Sequence, residues 1–98
     1  MPILFEYFGI VVFFYSNEHE PVHVHARYNN AEIKVSFFVK AGKIYRTTYT
    51  VVYGKFPTVK LKQLKKLISI YKEEILKLWF DHFILDIKIT AVKINKKL

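Results

Sequence analysis

His19, His23 and His25 fall close together in the run Ser16-Asn17-Glu18-His19-Glu20-Pro21-Val22-His23-Val24-His25-Ala26. The one other histidine is His82. Imidazole titrates near neutral pH, ligates metals and carries protons, so this run holds the chain's densest reactive chemistry. Three readings are open. In a strand, His23 and His25 point to one face, which suits two nitrogen ligands of a divalent metal. A third ligand would come from His19, from Glu18 or Glu20, or from His82. Alternatively, the histidines divide general-acid and general-base roles in RNA cleavage by internal 2′-hydroxyl attack, with a lysine stabilising the charged phosphorane. Unperturbed imidazole, with a pKa of about 6.5, is suited to that task. In the third reading they are polar strand residues that hydrogen-bond tyrosine, glutamate or backbone groups, or sit in a protein interface. The candidate catalytic residues and the candidate metal ligands are thus the same three, His19, His23 and His25, and spacing alone does not decide whether the chain is an enzyme. No cofactor is otherwise expected.

Nothing else competes. There is no glycine-rich phosphate loop, no carboxylate cluster and no serine-centred arrangement. Glu73-Glu74 reads as solvent-facing helix charge. The absence of cysteine removes disulfides, thiolate metal sites and cysteine nucleophiles.

The elements that must position the histidines follow from patterning. Ile3 to Tyr15 is β-branched and aromatic, interrupted by Gly9, and reads as one strand with a bulge or bend, covered on both faces. Ser16 to Pro21 is a turn. Val22 to Tyr28 is a second strand, and Asn29-Asn30 suits a tight hairpin turn. Ala31 to Val39 is a third strand with Ile33, Val35 and Phe37 on one face. A turn at Lys40-Ala41-Gly42-Lys43 leads to a fourth strand, Ile44 to Tyr53. There Tyr45, Tyr49 and Tyr53 are spaced to share a face, either as cross-strand packing or as a stacking platform for single-stranded RNA.

Gly54-Lys55-Phe56-Pro57 breaks the sheet. With Thr58 as N-cap, a helix runs to about Phe80. Leu61, Leu64, Leu67, Ile68, Tyr71, Ile75, Leu78 and Trp79 recur at three- and four-residue steps and form its apolar stripe. Lys62, Lys65, Lys66 and Lys72 fall on the opposite side, and Glu73 and Lys77 are placed for an i,i+4 pair. Asp86 to Asn95 alternates as a last strand with a phase slip at Thr90-Ala91. The sum is α+β: a single antiparallel sheet in the order β-β-β-β-α-β, packed by one amphipathic helix, in one domain spanning residues 1–98.

The net charge is +8. Residues 1–54 carry +1 and residues 55–98 carry +7, with eleven lysines in the second segment. Such a face attracts an acidic protein partner or RNA, and Lys62, Lys65, Lys66 and Lys72 are the candidate binding residues. Fourteen lysines against two arginines favour phosphate contacts over base reading. The start of the chain lacks the basic residues and cleavage site of a secretory signal, and no apolar run approaches the roughly 20 residues that span a bilayer. The expectation is a cytoplasmic protein with no membrane partner. A sheet this aromatic with an exposed edge is compatible with a homodimer.

These residues resemble the small bacterial proteins grouped as domain of unknown function family 4160. Members open with Met-Pro, then an aromatic-rich segment with a Gly followed by Ile or Tyr, then an Asp/Glu-His-x-Pro-Pro-His-x-His-Ala stretch. Here these read Met1-Pro2, Gly9-Ile10 and Glu18 to Ala26, with Val22 in place of the second proline. The family's Gly-Lys-Leu-Pro-like break corresponds to Gly54-Lys55-Phe56-Pro57. Its helix pattern corresponds to Tyr71, Glu74, Ile75 and Trp79. The segment from Ala31 to Tyr53 is longer than in typical members. The resemblance brings no activity with it. Some members are encoded beside another small protein in a toxin–antitoxin-like arrangement, which implies a component of such a pair.

Overall fold

The first β-branched run folds back on itself. In the computed structural model, which describes residues 2–15 and 22–98, it forms two strands, β1 (Ile3–Tyr7) and β2 (Ile10–Phe13). The expected single strand with a bend at Gly9 is therefore a hairpin. Phe8 has φ 46° and Gly9 has φ 86°, so both central residues of the two-residue turn are left-handed, as the twist of a tight hairpin demands. Glycine takes that conformation without strain, whereas Phe8 does not.

The meander continues as expected through β3 (His23–Tyr28), β4 (Ala31–Lys40) and β5 (Lys43–Tyr53). Asn29, at φ 51°, turns β3 into β4. Gly54 ends β5 with φ 71°, and a Cβ there would lie 2.1 Å from the Asn30 carbonyl oxygen. Only glycine lets the chain leave β5 against the β3–β4 turn.

Helix α1 spans Thr58–Phe83, three residues past the expected end. Pro57, not Thr58, holds the N-cap position. Its extended backbone presents the carbonyl that accepts the Leu61 N–H at 2.8 Å, and no side chain caps the helix. The apolar stripe buries Leu64, Leu67, Ile68, Ile75 and Trp79 in one core with Phe5, Ile10, Val12, Val24, Val35 and Phe37. Tyr71 packs on Phe5 with ring centroids 5.0 Å apart.

The last strand is shorter than its pattern suggests. Only β6 (Val92–Ile94) pairs, and it runs parallel to β1. The Ile87 N–H bonds the Asp81 carbonyl at 2.8 Å, so the chain after Phe83 is still turning off the helix where a strand was expected. The segment then reaches the sheet travelling in the direction of β1, which adds one parallel pair to an otherwise antiparallel sheet. The strand order is β5-β4-β3-β2-β1-β6. The class is α+β, one six-stranded sheet packed by one helix, with a strand more than expected.

Candidate functional site

Register sorts the residues of β3 and β4 onto two faces. Val24 opposes Val35, and both are buried in the core that also holds the helix stripe. The alternate pairs, His23 with Ser36, His25 with Lys34 and Arg27 with Glu32, therefore occupy the face away from α1. Phe13 of β2 opposes His25 and adds an aromatic wall on the same face.

Glu32 is the centre of this cluster and is 0% exposed. The Arg27 guanidinium donates to Glu32 Oε1 from Nη2 at 3.0 Å and from Nε at 3.3 Å. The Tyr15 hydroxyl lies 3.0 Å from each Glu32 oxygen. His25 Nδ1 stands 3.2 Å from Glu32 Oε2. A buried carboxylate needs such compensation, and Arg27 supplies the opposite charge. Partial burial and then the hydrogen bond to Glu32 push the Tyr15 phenol above its usual value of 10.0. The hydrogen bond to Glu32 likewise raises Arg27.

The rings lock together around His25. It stacks on Phe13 at 5.6 Å and meets the Tyr15 ring edge-on at 4.4 Å. The His23 ring is 5.2 Å away, also edge-on. Both histidines are buried. His25 Nδ1 thus lies at ion-pair distance from a buried carboxylate, within a close cluster of rings.

The structure brings His23 and His25 together as the i,i+2 spacing predicts. His19, Glu18 and Glu20, and the turn expected at Ser16 to Pro21, lie outside the described residues. His82 does not join them. It stacks on Phe14 at 5.9 Å and meets Phe83 at 4.6 Å, on the helix side of the sheet. Among the described residues no three histidine, aspartate or glutamate side chains gather to hold a metal.

Sequence reading passed over Tyr15, Arg27 and Glu32. The signal was present in the turn: a two-residue loop at Asn29-Asn30 sets Tyr28 opposite Ala31 and therefore Arg27 opposite Glu32.

The second expected surface is on α1. Lys62, Lys65 and Lys66 are exposed, and Lys72 is half-buried on the flank of the core stripe, four residues from Ile68 and three from Ile75. Lys65 Nζ lies 5.2 Å from the centre of the Tyr49 ring, so this basic side borders β5. Lys77 pairs with Asp81 at 2.8 Å where Glu73 was expected, and that bond raises the lysine's pKa.

Tyr45, Tyr49 and Tyr53 do not form a platform. The pairing of β5 with β4 skips Tyr45 and Val52, so each acts as a bulge that flips the alternation. Tyr49 opposes Val35 on the helix side. Tyr53 opposes Glu32, and Tyr45 contacts Phe38 on the other side.

Among the described residues, no helix is long and apolar enough to cross a membrane. No curated protein and no solved structure matches the chain. The family described as Domain of unknown function (DUF4160) matches residues 9–80, from the β1–β2 turn through nearly all of α1, a span that contains Tyr15, His23, His25, Arg27 and Glu32. The chain belongs to this DUF4160 family.

Proposed function

We propose that the chain is a small interaction module, one half of a toxin–antitoxin-like pair, whose basic helix side meets an acidic protein partner or RNA. The observation that carries this reading is the clustering of Lys62, Lys65, Lys66 and Lys72 on α1, three of them exposed, within a segment of net charge +7. Arg27 is engaged by Glu32, which leaves Arg46 as the arginine available to a partner. RNA would therefore be held through its phosphates. The test is fluorescence polarisation with a polyglutamate peptide and with a single-stranded RNA oligonucleotide, each at roughly 50 and 200 mM salt. Affinity should fall at least tenfold at the higher salt and in the Lys62→Ala, Lys65→Ala, Lys66→Ala, Lys72→Ala variant. Binding indifferent to both changes refutes the reading.

A second reading rests on the contact between Glu32 and His25 Nδ1. A buried carboxylate this close to the ring supports a general-base role for His25. His23 beside it would serve as the acid in metal-independent RNA cleavage. His23→Ala and His25→Ala proteins that keep the parent's melting temperature should then lose cleavage of an RNA oligonucleotide. Undiminished cleavage in both removes this reading.

A further inference from the structure

The longest strand of the sheet has one unused side. β5 runs for 11 residues at the end of the strand order, and among the described residues nothing pairs with its outer edge. An open edge is a row of unpaired N–H and C=O groups that templates another strand. The bulges at Tyr45 and Val52 disturb both ends of β5 but leave Arg46 to Val51 in unbroken register with β4. That window contains no proline and no inward charge, so Arg46 and the two flanking bulges are what limits pairing along it. Its neighbours Tyr45 and Val52 are 66% and 48% exposed.

The charges around the window are of one sign. Arg46 and Lys34 lie on the face that carries His25 and Glu32, because Arg46 opposes Phe38, and Lys34 opposes both His25 and Thr50. Lys65 reaches over Tyr49 on the opposite face. β5 itself has no carboxylate. A strand added here would have its alternate side chains flanked by cations on both faces of the sheet.

We infer that the β5 edge between Arg46 and Val51 is the docking site for an extended acidic segment of a partner protein, which adds to the sheet as a seventh strand. This inference rests on the acidic-partner reading above and gives it a location and a backbone geometry. A second copy of the chain fits less well, because two molecules of net charge +8 would have to approach edge to edge. Backbone pairing would supply general affinity, and carboxylates beside Arg46 and Lys65 would supply selection.

The experiment is amide hydrogen exchange on the full chain with two synthetic octapeptides. One alternates glutamate with valine or threonine, and the other has lysine at each glutamate position. The glutamate peptide should bind and slow exchange at least tenfold at alternate amides between Arg46 and Val51, while the lysine peptide leaves them unchanged. The double variant Arg46→Glu, Lys65→Glu, which gives up only the ring contacts with Phe38 and Tyr49, should stay folded and weaken binding at least tenfold. Binding of the glutamate peptide with no protection in β5 overturns the docking site but leaves the basic helix as an acidic-partner surface. Absence of binding overturns both. Protection of the same amides in a dimer without peptide also overturns the inference, because a second copy would then be the occupant.

Discussion

Glu32→Ala tests whether the polar cluster is held by one carboxylate. The side chain is fully buried and faces Arg27, Tyr15 and His25. Removing one partner of a buried ion pair costs about 3–5 kcal/mol when the other charge is left stranded. Here the Arg27 side chain is 37% exposed, so it can recover water and the lower part of that range applies. Tyr15 is half-buried and can also turn to solvent. The expected loss is about 3 kcal/mol, from charge-assisted hydrogen bonds of roughly 1.5–3 kcal/mol each, less the resolvation of Arg27. In a domain of this size that lowers the melting temperature by about 12–24 °C. Glu32→Gln keeps one acceptor and should lose about half as much. Urea unfolding with a double-mutant cycle against Arg27→Ala is the assay. The double variant should be less destabilised than the sum of the single ones, and Glu32→Met with Arg27→Leu should regain most of the stability. A loss below about 1 kcal/mol for Glu32→Ala, with no coupling to Arg27, would refute the reasoning.

Gly54→Ala should cost about 2 kcal/mol or more by urea unfolding, because the new Cβ meets the Asn30 backbone and the φ is left-handed. Phe8→Asn should stabilise by about 0.5–1 kcal/mol in a thermal melt, since it gives the β1–β2 turn an Asn-Gly pair. Trp79, 5% exposed in the core, should cost about 3–5 kcal/mol as Ala, measured by denaturant midpoint. Tyr15 and Tyr49 both have raised phenol pKa values, so the folded state binds their protons more tightly than the unfolded chain does. Their contribution is complete below pH 10 and is lost as the pH rises above it, and Tyr15→Phe should flatten the alkaline fall in stability measured by urea titration.

The three- and four-residue periodicity of α1 and the turn residues at Asn29-Asn30 were readable because each rests on local geometry. What the sequence hid was non-local. Phe8-Gly9 carries no standard hairpin signature at its first position, so two strands read as one. The bulges at Tyr45 and Val52 have no glycine to announce them, and they undo the shared face that four-residue spacing implied for the tyrosines. The alternation from Asp86 persists on paper, yet the exposed Ile87 and Val92 show that it does not report burial there. At the site, His23 and His25 stood out by chemistry, whereas Glu32 looked like any charged strand residue. Its importance comes from three partners, Arg27 and His25 on the neighbouring β3 and Tyr15 just past β2, a convergence visible only once register is fixed.

The parallel pairing of β6 with β1 separates the sheet's two ends in time as well as in space. Phe5 meets Val92 across nearly the whole chain, while every other strand pair joins neighbours in sequence. The Leu98 N–H reaches the Tyr7 hydroxyl at 3.0 Å over the same long span. Closing a loop of that length carries an entropic cost that the local hairpins do not face. β6 is therefore expected to pair last in folding and to open first, with amide exchange faster at Val92–Ile94 than in the meander as the check.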